Sequence, residues 1–215
     1  MDAKTQKSEL TRAAIIDAAL DIATSTGLFS VTLQGVADKL FLSKSGIFSR
    51  VGSKESLQMA VVDEYGKRFL AAVFLPAMQV PKGPQRLDSI VQAWMNRVCS
   101  ARSMGNCLLE TTAFSFEIGQ QDALHKHLVQ AVAAWRGLMG RTITQCIDMG
   151  AMRADTDAGN FLFELHSIML GVLYDAQFMG EQKAWQRGRL CYAALLSRHQ
   201  PGGGGRTPPP TPAPA

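Results

Sequence analysis

Between Thr32 and Leu57 the chain reads TLQGVADKLFLSKSGIFSRVGSKESL, and no other stretch restricts the possible folds as much. Thr32, Ser43 and Ser53 each stand just ahead of a run with helical spacing. A side-chain oxygen in that place accepts from a backbone amide and starts a helix. Val36, Ala37 and Leu40 give the first run one apolar face, and Phe41-Leu42 forms a turn. Ile47 and Val51 then put an apolar stripe on a helix of only about two turns. Lys44, Ser45, Phe48, Ser49 and Arg50 surround that stripe, so the helix has little core to make and much surface to present. This is the layout of a helix-turn-helix.

The flanking segments are helical too. A first helix begins at Ser8 or Thr11, after a loose arm Met1 to Lys7. It carries Ile15, Ala18, Ala19, Ile22 and Ala23 on one face and ends at Gly27, with Leu28 and Phe29 tucking the connection onto the small core. A fourth runs from Ser53 to about Phe74 and stops before Pro76, because proline cannot continue a helix. PAMQVPKGP, Pro76 to Pro84, is a loop, and a domain boundary falls in it or just before it. Helices follow at about Gln85 to Arg102, Asn106 to Ile118, Asp122 to Met149, Thr156 to Met179 and Lys183 to Arg198. No strand or hairpin pattern competes, so the fold class is all-α. The expected division is a helix-turn-helix domain at 1–57, a linking helix at 53–75 and a larger helical domain at 76–199. The Pro/Gly-rich tail at 200–215 cannot bury a core and is expected to be disordered.

Bulk properties narrow the function. At 215 residues and 47% apolar composition the chain can bury a substantial core. A net charge of +4 is too mild to argue for nucleic acid alone, but Lys39, Lys44, Arg50 and Lys54 fall together with no acid among them. No apolar run reaches the ~20 residues of a membrane span, and the N-terminus lacks an apolar signal segment, so a cytoplasmic protein is expected. Cys99, Cys107, Cys146 and Cys191 show no metal-ligand spacing. No metal or cofactor is expected. There is also no phosphate loop and no nucleophile-base grouping, which argues against an enzyme.

Over Thr11 to Tyr65 the sequence resembles the DNA-binding domain of tetracycline-repressor (TetR) type regulators. The likeness rests on the helix ending at Gly27, the Thr32 cap, the Val36-Ala37 pair and the run SKSGIFSRVGSKE. It implies base contacts from Lys44 and Ser45, with Gln34 a further candidate: lysine donates to guanine, and glutamine pairs with adenine. Thr32, Ser43 and Lys54 fit phosphate contacts, two hydroxyls at caps and an ammonium beside a helix N-terminus. Ser49 and Arg50 stand where the family often has aromatic residues or histidine. Phe48 replaces a usual tyrosine, losing a hydroxyl. Phe41 replaces a usual glycine, and a left-handed turn there would be strained by phenylalanine.

The second half reads as a partner-binding and effector-binding unit. NFLFELHSIMLGVLYDAQFM is apolar nearly all round apart from Glu164, His166 and Asp175, so it is expected to be buried on two sides. With the helix holding Trp185, Leu190 and Leu196 it would form a four-helix homodimer interface across Phe161–Met179 and Trp185–Leu196, as the resemblance also implies. Trp94, Met95, Cys107, Leu108, Thr111, Phe114, Trp135, Met139, His166, Met169 and Phe178 are the candidates for a pocket taking a small apolar or aromatic effector. Glu110 and Glu117 are expected to face solvent, and His166 to be hydrogen-bonded in the core. The whole is then expected to be a dimeric repressor that leaves a palindromic DNA operator when the effector binds. A thiol-based redox regulator acting through Cys107 or Cys99 is the alternative on the same scaffold.

Overall fold

The computed structural model describes residues 3–100, 107–116 and 122–202, with side chains from Arg12 onward. Helix α1 spans Ala3–Thr26, so the chain is already helical where a loose arm was expected. A 3₁₀ turn, Leu28–Ser30, leads into α2, Leu33–Leu40, α3, Lys44–Val51, and α4, Lys54–Phe69. All three expected hydroxyl caps form. The amides of Gly35, Gly46 and Ser56 donate to Thr32, Ser43 and Ser53 at 3.0, 3.1 and 3.0 Å. Each satisfies one of the amides a helix start leaves unpaired. Ile15, Ala19, Val36, Ile47, Leu57 and Val61 have no exposed surface and form the centre of this head. The buried Gln58 side chain donates to the carbonyls of Leu28 and Val31 at 3.1 and 3.4 Å, which fixes α4 against the 3₁₀ turn.

Helix α4 does not stop before Pro76. It widens into a π-helical turn over Leu70–Phe74 and continues through Leu75–Ala77, with Pro76 inside its last turn. Proline lacks an amide and crowds the carbonyl four residues back, and the widened turn just upstream accommodates both faults. Gly83 then opens α5, Pro84–Cys99, with proline at the first helical position, where its missing amide costs nothing.

The body continues with α6, Leu108–Ala113, α7, Ala123–Asp148, α8, Ala158–Leu173, and α9, Ala184–His199. Asp122 and Asp157 cap α7 and α8 through the amides of His125 and Asn160 at 2.8 and 2.7 Å. The α6 helix is shorter than its pattern promised, giving way to a turn after Ala113, while 106 and 117–118 lie outside the described residues. Past Leu173 the chain widens into a second π-helical turn, Tyr174–Phe178. Gly188 lets α9 come close to α8, because a Cβ there would lie 2.3 Å from a Val172 methyl carbon. No strand occurs among the described residues. The tail at 203–215 lies outside them.

Candidate functional site

Helix α3 buries only Ile47 and Val51, against α1 and α2, and turns everything else outward. Gln34, Ser43, Lys44, Ser45, Phe48, Ser49, Arg50 and Lys54 are all exposed, and Thr32 is half-buried behind its cap. The structure therefore brings the sequence-nominated residues to one surface. It also ties several of them down. Gln34 Nε2 donates to Asp38 at 2.7 Å, Ser49 Oγ to the Gly46 carbonyl at 3.0 Å, and Arg50 to that same carbonyl at 2.8 Å. Lys39 pairs with Asp21 of α1 at 3.2 Å, so it belongs to the packing of the head more than to its free basic surface. Phe41 closes α2 in the left-handed region, with φ 54° and ψ 41°, as its place in the turn required.

The body departs further from expectation. Trp94, Met95, Cys107, Leu108, Trp135, Met139 and Met169 are all within a few per cent of complete burial, so they make core rather than an accessible pocket wall. Of the candidates, only Thr111, Phe114 and Phe178 line the main apolar groove, a space of about 830 Å³ between α6, α8 and α9. Its other walls include Gly171, Tyr174, Gln177, Gly188 and Cys191. Sequence reading missed these because a groove between helices is lined by whatever the crossing leaves uncovered, and periodicity carries no record of that crossing. Trp135 instead faces a smaller cleft between α4 and α7.

Two buried polar groups overturn their assignments. Glu110 is only 7% exposed, not solvent-facing, and burial raises its pKa while the Arg97 guanidinium opposes the rise. Glu117 lies outside the described residues. His166 is half-buried with its Nε2 unpartnered, its ring edge-on to Trp135 at 5.3 Å. It is thus not the hydrogen-bonded core histidine expected, and burial lowers its pKa. Cys107 is buried and burial drives its pKa up, the reverse of what a thiolate sensor needs. Cys99 is raised by burial too. Cys191, at the groove, is an exposed free thiol.

Aromatic rings join the head's last helix to the body. Tyr65 stacks on Phe69 at 6.3 Å, Phe69 meets Trp135 of α7 at 6.2 Å, and Trp135 meets His166 of α8. Asp63 of α4 also meets His127 of α7 at 2.7 Å. A second junction runs through α6. Just beyond it, Phe116 packs edge-on against Phe29 of the head at 5.1 Å. Thr111 lines both the apolar groove and a cleft shared with Gly27 and Leu28. Phe163 of α8, Tyr174 and Phe178 of the π-helical turn and Leu190 of α9 are more than half exposed. Among the described residues no group of acidic, histidine or cysteine side chains could hold a metal ion, and no helix is long and apolar enough to cross a membrane.

Residues 83–191 match the family model of the tetracyclin repressor-like C-terminal domain. A TetR-family transcriptional regulator from Cytophaga hutchinsonii superposes with a TM-score of 0.76 at 20% identity, over 90% of this chain and 96% of its own. A TetR-family regulator from Streptomyces coelicolor gives 0.73 at 13% identity, over 91% and 95%. The fatty acid degradation regulator FadR from Bacillus halodurans gives 0.69 at 14% identity, over 90% and 99%. No curated protein matches the chain. At these identities the structural likenesses speak for the fold.

Proposed function

Because this chain belongs to the TetR family of transcriptional regulators, a family of DNA-binding proteins, we propose that it is a homodimeric repressor released from a palindromic operator by a small apolar effector. The observation that carries the reading is α3: a capped two-turn helix that buries two side chains and offers Lys44, Ser45, Phe48 and Ser49 to one exposed surface. Lys44 and Ser45 take base edges, with Gln34 beside them. Thr32, Ser43, Arg50 and Lys54 hold phosphates, Lys54 at the N-terminus of α4, where free amides also favour an anion.

The functional division we assign is a head at 1–57, α4 as the link and a body from the end of α4 to 199. The exposed Phe163 and Leu190 supply the dimer face, since large exposed apolar side chains call for a partner, and Tyr174 and Phe178 stand at the groove. The effector occupies that groove. With few polar groups on its walls, the groove favours an aromatic or aliphatic body over a charged one. Release requires an effector that binds one arrangement of the two heads better than the other. Support for the coupling comes from Thr111, which faces groove and head alike, and from the ring contacts between α4 and α7.

The test is a genome-wide binding selection with purified protein, then a gel shift on the enriched site with and without apolar ligands. An enriched inverted repeat is expected. Lys44→Ala should weaken binding to it by about 1–3 kcal/mol and relax the base preference at one position of each half-site while leaving the dimer intact. Unchanged operator binding in that variant would remove Lys44 from the reader.

A further inference from the structure

Phe41 has the sole positive φ of any non-glycine among the described residues. It closes α2 by donating its amide to the Asp38 carbonyl at 3.4 Å, and Leu42 follows with a bond to the Ala37 carbonyl at 2.9 Å. A left-handed residue is a usual way to end a helix, but a Cβ makes that conformation unfavourable, more so for a bulky residue than for glycine or asparagine. The ring gains nothing inside the chain to offset this, because Phe41 is 96% exposed, the most exposed of the large apolar residues. Leu42 beside it and Phe48 on α3 are also exposed, at 43% and 57%. Phe41 and Leu42 sit in the turn just before Lys44, with Arg50 and Lys54 following and no acid between Lys39 and Lys54.

Backbone strain that persists without internal compensation marks a place where binding supplies the missing contact. A basic surface around an apolar tip fits a duplex, whose major groove offers one apolar group, the thymine methyl. We propose that Phe41 is a specificity-determining DNA contact, its ring lying on a thymine methyl at the edge of each half-site. This rests on the DNA-binding reading above and adds a base preference that Lys44 and Ser45 do not supply.

The experiment uses the full chain and its enriched site. Each thymine of a half-site is replaced in turn by deoxyuridine, which removes only the methyl group. Affinity is measured for the native protein, Phe41→Gly and Phe41→Asn, the last because asparagine tolerates the left-handed region. One position per half-site should weaken native binding by about fivefold on loss of the methyl. Both variants should bind the thymine site more weakly, ignore the methyl, and melt at a higher temperature than the native chain. Variants that bind as tightly as the native protein with the same uracil sensitivity would overturn the proposal. So would weaker binding without any methyl dependence, or a changed oligomeric state with DNA binding intact. A native chain that selects no DNA site would overturn the DNA-binding reading itself, and the proposal with it.

Discussion

The head and the body bury apolar surface by different means. In the head the two middle helices, α2 and α3, have eight residues each, each of α2, α3 and α4 starts on a hydroxyl cap, and the charged groups stay at the surface. In the body the helices are mostly long, and the packing runs through large rings: Trp94, Trp135 and Phe161 are buried, and Glu110 is buried with them. The difference teaches where each region stores its specificity. Head geometry is set within a few residues of sequence, so its surface can carry many exposed side chains without losing shape. Body geometry depends on which helix crosses which.

Three substitutions press on this contrast. Phe69→Ala, at the junction of α4 with Tyr65, Phe74 and Trp135, should cost about 3–5 kcal/mol by opening a cavity. Chemical denaturation followed by fluorescence reads it. A loss near zero would mean that head and body are coupled elsewhere, with α6 the next place to look. Ser43→Ala should cost only about 1 kcal/mol, since one amide at the start of α3 loses its acceptor. The loss should appear as a lower melting temperature together with weaker operator binding. If stability falls and operator binding does not, the cap serves the fold alone.

The smallest effect is a slope. Burial raises the Glu110 pKa, so the folded chain holds a proton that the unfolded chain releases once pH passes the ordinary carboxyl range. Unfolding then releases a proton, and the Glu110 contribution makes stability fall as pH rises above the ordinary carboxyl range. His166, whose pKa burial lowers, acts in the opposite sense below about pH 6.5, where the unfolded chain takes up the proton first. Comparing Glu110→Gln with the native chain cancels the histidine's share. The variant should lose less stability as pH rises above the carboxyl range. An identical slope in both proteins would place an ionised Glu110 against Arg97 throughout.

Much of the head was legible because its signals are local. Thr32, Ser43 and Ser53 each act on an amide three residues away, and Val36, Ala37, Ile47 and Val51 show their buried face by spacing alone. Even the strain at Phe41 followed from its place in the turn. The groove was not legible. A tryptophan or methionine at helical spacing looks the same whether it fills a core or lines a cavity, and Trp94, Met95, Met139 and Met169 fill the core. Proline in a helical run likewise reads as a stop, and nothing nearby in sequence announces the widened turn that carries α4 past Pro76.

Sequence by itself determined the all-α class, the three capped starts, the two-turn helix α3 and the residues that surround it, since hydrogen-bonding partners and apolar period lie within one or two turns of each other. Tertiary structure alone decided that Glu110 is buried, that Gly188 admits α9 against Val172, and that Thr111, Phe114 and Phe178 share a groove. Burial and enclosure arise from side chains on separate helices meeting at a particular crossing, and the order of residues along one helix does not encode that distance.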